Sequence, residues 1–286
     1  MPLMRLACPT LAGRTPPDAQ PFPLTQDTRR LDAGLVAEFP VENLGKIGLR
    51  ASAMTQRHRQ LFGTSAETDK QHTFFAETSL AGENGPTNWL AGAAFQADLY
   101  RSRAFPGFDY SYTVPGLFGQ VEQELTDELL LAGSARVDFH SDYGTHFSPR
   151  LSALYRPGPW TIRASLGKGF YAPTPFVDEI EAAGLSRLEP PGPLKAETAK
   201  TASLDFGYAK GPIEASLTLF ASDIDNAVQL QDVDTDTVRL VNAVGTTRTR
   251  GGELMLRYRW QGFSVTGSYV FVNASEPDPS GTGRRT

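Results

Sequence analysis

The chain has 286 residues, with 27 basic and 32 acidic side chains, a net charge of -5 and a pI near 5.5. A mildly acidic, mixed surface excludes the basic footprint of a nucleic-acid binder, and a single cysteine, Cys8, excludes both a disulfide framework and a cysteine-based zinc site within the chain. No run approaches the roughly 18 apolar residues of a membrane helix, but a barrel strand turns only alternate side chains to lipid and is compatible with a mean hydropathy of -0.30.

Residues 1–29 are rich in Pro and Thr, show no period, and read as an irregular N-terminal segment. Met1 to Cys8 is not a usable export signal, because its apolar stretch is short and interrupted by Pro2 and Arg5. From Arg30 one pattern takes over: alternation in segments of about ten residues. The clearest case sets Leu129, Leu131, Gly133, Ala135, Val137 and Phe139 against Leu130, Ala132, Ser134, Arg136, Asp138 and His140. The test yields twelve strands, near 30–39, 46–57, 72–81, 88–100, 112–124, 128–139, 146–156, 160–170, 198–208, 213–223, 248–259 and 263–273. Residues 30–275 are thus the strand region and 276–286 a loop or truncated end.

The connections alternate. Short turns fall at 40–45, 82–87, 125–127, 157–159, 209–212 and 260–262, most of them built from Gly, Pro, Asn or Asp. Five longer links separate them, the longest at 171–197 and 224–247. Trp89, Tyr155, Trp160, Tyr208, Tyr258, Trp260 and Phe263 all lie near short turns, where an aromatic girdle of a membrane barrel belongs. The expected fold is all-β: an antiparallel transmembrane barrel, partial, with short turns on the periplasmic side and long loops outside.

The stretch Gly119–Thr174 carries a more specific signal. Gln120–Asp138, then Phe147–Pro157 with Ser148-Pro149-Arg150, then Arg163–Thr174 with Gly169-Phe170-Tyr171-Ala172-Pro173-Thr174, closely resemble the paired strands and the two signatures of TonB-dependent outer-membrane receptors. Tyr171 stands where that family usually has Arg. The resemblance implies a receptor of the Gram-negative outer membrane that imports ferric siderophores or similar scarce nutrients by energised transport. It implies a transporter rather than an enzyme, and no cofactor. Its partners would be outer-membrane lipid, a siderophore-type ligand, and the TonB complex through an N-terminal region not seen here. The family places a plug domain ahead of a barrel of about 22 strands, so a chain of twelve strands is expected to be a piece of a receptor. The alternative is a self-contained twelve-stranded porin or structural barrel, in which Leu31–Phe39 would pair with Phe263–Val272.

Ligand contacts are expected on the long-loop side at Tyr100, Arg101, Arg103, Phe105, Tyr110 and Tyr112, where aromatic faces and guanidinium groups suit an anionic, ring-bearing metal chelate. Asp232, Asp234 and Asp236, with Asp223 and Asp225, lack the turn glycine and closing glutamate of a calcium loop and read as a solvated acidic loop. His146-Phe147-Ser148 has the spacing of an outer-membrane phospholipase pair, but the Ser-Pro-Arg signature accounts for Ser148. His58, His72 and His140 share no metal-ligand spacing and are expected on loops or strand ends.

Overall fold

The computed structural model describes residues 24–42, 44–62, 65–176, 185, 188–234, 237–278 and 283–285. Twelve long strands match the sequence pattern one for one: β1 (Leu24–Val41), β2 (Gly45–Phe62), β3 (Ser65–Asn84), β4 (Thr87–Ser102), β5 (Tyr110–Glu124), β6 (Leu129–His140), β7 (Gly144–Tyr155), β8 (Trp160–Tyr171), β9 (Glu197–Lys210), β10 (Ile213–Asp225), β13 (Thr246–Trp260) and β14 (Phe263–Pro277). Two short strands, β11 (Val228–Asp232) and β12 (Val238–Asn242), form a hairpin of their own inside the 226–245 link, and β15 (Arg284–Arg285) adds to the end of β14. Asp236 of the acidic loop lies outside the described residues. Asp223 and Asp225 belong to β10, not to a loop.

Every neighbouring pair is antiparallel, and the sheet follows chain order from β1 to β10, then β13 and β14. It does not close. No pairing joins β1 to β14 among the described residues, so the closed twelve-stranded porin is not what forms.

Register sorts the side chains into two faces. One row runs Leu35, Ala51, Ala76 and Phe95 across β1 to β4. Leu117, Val137, Leu151, Leu166, Leu204, Leu217 and Leu254 share this face on the later strands. Leu35, Leu117, Leu151 and Leu166 each stay about 60 % exposed, which in water would be costly and in lipid is the stable arrangement. The seven aromatics near the short turns all fall on this outer face, with Trp160 and Tyr208 packed 4.7 Å apart.

The other face is polar and carries matched charges: Arg136 to Asp138 at 2.7 Å, Arg50 to Glu77 at 3.6 Å, and both Arg257 and Arg259 to Glu214. Glycines on this face let rings lie flat against the sheet. A Cβ on Gly92 would meet the Phe118 ring and the Thr78 carbonyl oxygen, and one on Gly251 would meet Phe220 and the Phe271 carbonyl oxygen. Since the carbonyls are backbone and cannot move aside, Gly92→Val should destabilise the barrel by about 1–3 kcal/mol, the usual range for overpacking. The check is the urea midpoint of the folded, gel-mobile form, which should fall; a midpoint equal to wild type would show that β3 and β4 can shift apart enough to admit the side chain.

Turn chemistry explains the tight end. Gln261 and Gly262 both have positive φ (42° and 89°), the signature of a two-residue hairpin turn whose twist matches the strands. The long-loop side departs from expectation in two places. Residues 58–71 are not a loop: β2 and β3 run on through them, with only 63–64 between, and those two lie outside the described residues. The β6–β7 link is also tight, at 141–143. Apolar alternation stops near Arg57 because the strands leave the lipid there, while their backbone hydrogen bonds continue beyond it. His58 and His72 accordingly sit within strands, and only His140 is at a strand end.

Candidate functional site

The buried hydrophobic cluster of the described residues lies at the long-loop end, on the polar inner face. It gathers Tyr100, Phe108, Tyr110, Leu185, Leu188 and Leu240, flanked by Phe105, Tyr112, Phe176 and the β11–β12 hairpin. Tyr110 stacks on Tyr112 at 4.6 Å and on Tyr100 at 5.7 Å, and Phe176 meets Tyr100 edge-on at 4.7 Å. Tyr112 continues the line to His140 at 4.9 Å and Tyr143 at 5.9 Å. Three separate links therefore fold together as a cap over one end of the lumen.

The six expected ligand residues divide. Tyr100, Phe105, Tyr110 and Tyr112 come together in this cluster, with Tyr100 and Tyr110 buried. Arg101 does not join them. Strand alternation turns it to the outer face, opposite Lys70, and its guanidinium donates to the Tyr100 and Tyr110 carbonyl oxygens at 2.8 and 2.6 Å. Arg103 is exposed in the link, its backbone N–H donating to the Thr68 carbonyl oxygen.

Beneath the cap lies a cavity of about 510 Å³ on the inner face of β1 to β5. Tyr100, Tyr110, Thr174, Phe176 and Leu185 line one side, and the rest is Gln26, Gln56, His58, Gln60, Glu67, Asp69, Gln71 and Asp98. Asp98 accepts from Gln71 at 3.2 Å and from the Tyr110 hydroxyl at 3.3 Å. His58 is 4.0 Å from Asp69. Glu67 is 6 % exposed, and its Oε1 has no hydrogen-bond partner. Glu67 and Asp69 stand beyond the apolar band, whose last ring on β3 is Phe74. Burial pushes the Glu67 carboxyl above its usual range, with the neighbouring Asp69 charge adding to it. Burial does the same to Asp69, opposed by His58. A pocket that resists ionising its own carboxylates is one that a positive or hydrogen-donating group would suit. Among the described residues, no three His, Cys, Asp or Glu side chains come close enough to hold one metal ion.

Gln56 and Asp98 of this wall lie in strands expected from the sequence, whereas Gln26 falls in the expected N-terminal segment and Gln60, Glu67, Asp69 and Gln71 in the expected 58–71 link. Gln56, His58 and Gln60, then Glu67, Asp69 and Gln71, share one face, but the residues between them are polar as well, so no alternation in the sequence marks that face. A second hollow of about 500 Å³, between Leu151, Leu166, Ala202 and Ala221, opens among outer-face side chains and is not lumenal.

The two signatures build the route into the cap. Pro149 has no N–H to donate, and the β7–β8 register runs only from Arg150–Gly167 to Tyr155–Ile162. Ser148 stands opposite Arg136, and Arg150 donates to the Ser165 hydroxyl at 3.1 Å. Phe170 stacks on His146 at 3.9 Å, and His146 Nε2 lies 3.0 Å from the Tyr143 carbonyl oxygen, so that imidazole serves packing rather than Ser148. Gly169 has open space around it. After Ala172, Pro173 is fully buried and its carbonyl accepts the Tyr143 hydroxyl at 2.9 Å. Burial pushes that Tyr143 phenol up. Thr174 then reaches the cavity wall, with Phe176 against Tyr100.

Comparison with known proteins agrees with this geometry. The family described as TonB dependent receptor-like, beta-barrel, matches residues 12–286. An iron-regulated outer membrane virulence protein of Vibrio cholerae is 32% identical over 119 residues, covering 38% of this chain and 18% of that protein. Among solved structures, the siderophore receptor PirA of Pseudomonas aeruginosa aligns with a TM-score of 0.73 at 18% identity, over 88% of this chain and 51% of that one. The copper transporter OprC aligns at 0.75 and 14% identity, over 88% and 49%. The FrpB iron transporter of Neisseria meningitidis gives 0.71 and 16%, over 89% and 44%. The chain thus spans about half the length of these structures and less than a fifth of the curated relative. Its lipid-facing sheet, its signatures and its family match make this an outer-membrane protein that belongs to the TonB-dependent receptor family, of whose β-barrel it forms part.

Proposed function

We propose that this barrel segment serves energised uptake of an iron chelate or similar scarce nutrient, and that the capped cavity is where the chain meets its ligand. The observation that carries this reading is a polar and aromatic cavity placed on the lumenal face, at the long-loop end, under a folded cap. The V. cholerae relative is iron-regulated, and PirA and FrpB are a siderophore receptor and an iron transporter by name. The lining favours a neutral or positively charged chelate over an anionic one, because Glu67, Asp69 and Asp98 face the cavity while Arg101 faces away.

The test is accumulation of radioactive iron by iron-starved cells with and without the complete gene. The iron is supplied either as a ferric trihydroxamate bearing a free ammonium or as a ferric triscatecholate. Uptake of the first that depends on the gene and stops with a protonophore is the expected result. Uptake insensitive to the protonophore would mean passive permeation, and accumulation independent of the gene would remove iron chelates from consideration.

A further inference from the structure

Of the three acids in the capped cavity, one is left unanswered by the described residues. Asp98 accepts from Gln71 and from the Tyr110 hydroxyl. Asp69 has the His58 ring at 4.0 Å, and the other nitrogen of that ring lies 2.6 Å from Gln26 Nε2. Glu67 is the most deeply buried of the three, and its Oε1 meets no donor among the described residues. A buried acceptor without a donor is costly, and folded proteins rarely keep one. Burial and the Asp69 charge raise the Glu67 carboxyl, while the Leu185 backbone N–H favours its charged form. A donor that also brought a positive charge would tip that balance to the carboxylate.

The surroundings narrow the kind of donor. Among the described residues no lysine or arginine lines the cavity, and no three His, Cys, Asp or Glu side chains converge on a point that a bare metal ion could occupy. Glu67 and Asp69 stand two residues apart on β3, so they share a face with about 7 Å between them along the strand. An ammonium is compact and points three N–H bonds in different directions, which lets it reach both acids at once. A guanidinium is made to grip two oxygens of one carboxylate in a fork, and here Oε1 alone stands open. Tyr100, Tyr110 and Phe176 line the same cavity, with Phe176 edge-on to Tyr100 at 4.7 Å, and offer apolar surface for the methylenes of an alkyl stem.

We infer that the cavity selects its ligand by a primary ammonium group, held between Glu67 Oε1 and Asp69, with the alkyl stem lying against Tyr100 and Phe176. The ligand is then a chelate or other nutrient that ends in an aminoalkyl arm. This rests on the reading that the nutrient is met in the capped cavity, and it assigns the discriminating contact there to Glu67.

The experiment uses the protein expressed from its complete gene and purified from outer membranes in detergent. The probe is one ferric trihydroxamate in three forms, with its terminal amine free, N-acetylated or N-trimethylated, and equilibrium dialysis of the radioactive iron reads binding. Wild type should bind the free amine about tenfold tighter than the acetylated form, the scale of one hydrogen bond to a charged group. The trimethylated form keeps the charge but has no N–H to give, and should fall between them. Glu67→Gln should lose about tenfold on the free amine and nothing on the acetylated form, with heat-resistant gel mobility showing that the variant is folded. Equal binding of the free and acetylated forms by wild type would overturn the inference and leave the cavity as the nutrient site, with Glu67 answered from elsewhere in the complete protein. A Glu67→Gln protein that keeps the wild-type preference would overturn it as well. Binding of none of the three forms would remove both the inference and the reading beneath it.

Discussion

Tyr110→Ala is expected to loosen the cap while leaving the twelve-stranded sheet assembled. Tyr110 is 8 % exposed, lies between the Tyr100 and Tyr112 rings, and donates to Asp98. Truncating a buried aromatic to alanine typically costs about 3–5 kcal/mol, and the cost rises with the cavity left behind. Here the loss falls on one small cluster, which also holds Phe108, Leu185, Leu188 and Leu240 from three links. The strands below are held by continuous backbone ladders that do not pass through Tyr110's side chain. Limited proteolysis should therefore cut links 103–109 and 226–245 faster than in wild type, while heat-resistant gel mobility of the barrel is retained. Tyr110→Phe keeps the ring and loses only the bond to Asp98, at a cost of about 0.5–1.5 kcal/mol, and should stay protease-resistant. Equal cutting of wild type and Tyr110→Ala would show that the cap is held by something other than this cluster.

The second large effect concerns which face meets lipid. Leu217 stands in the middle of the outer face, between Phe206 on β9 and Leu254 on β13. An arginine there should destabilise the inserted barrel by about 2–4 kcal/mol, as expected near the bilayer midplane. Ser216, one residue away, points to the polar side beside Gly207 and Met255. Arginine at Ser216 should be tolerated to within about 0.5 kcal/mol, as for substitutions away from packed features. The comparison is read from urea unfolding in vesicles. A result in which both substitutions cost the same would reverse or erase the assignment of faces.

Strand count, faces and turns were legible in the sequence because lipid imposes a strict two-residue period wherever it touches the protein. Leu129 to His140 shows this fully, and its two sets of residues are the two faces found. Where lipid ends, that constraint ends as well. The extension of β2 and β3 through residues 58–71 was missed because Arg57, His58, Arg59 and Gln60 are polar on both faces, although the ladder continues from Arg57–Lys70 to Phe62–Ser65. The β11–β12 hairpin was hidden in a link for a related reason: its apolar residues, Val228, Leu230, Val238 and Leu240, pack into the cap rather than face a bilayer. The aromatic half of the site could be read from Tyr100 to Tyr112. The orientation of Arg101 could have been read too, since alternation from Leu99 requires it to face outward. The acidic wall could not be assembled without the register that brings β1, β2 and β3 side by side.

The placement of the indole rings has a spectroscopic consequence. All three tryptophans, Trp89, Trp160 and Trp260, belong to the outer face beside short turns, whereas the cap is built from tyrosine, phenylalanine and leucine. Strands of a dozen residues or more, at about 3.3 Å per residue, separate the two ends. Tryptophan emission from this segment is thus a gauge of the periplasmic rim. Quenchers fixed to lipid chains near that leaflet should extinguish it, and events in the capped cavity should leave its colour and intensity unmoved. An observer following events in the capped cavity by intrinsic fluorescence would need an indole introduced near the cap, or would be watching the wrong end of the molecule.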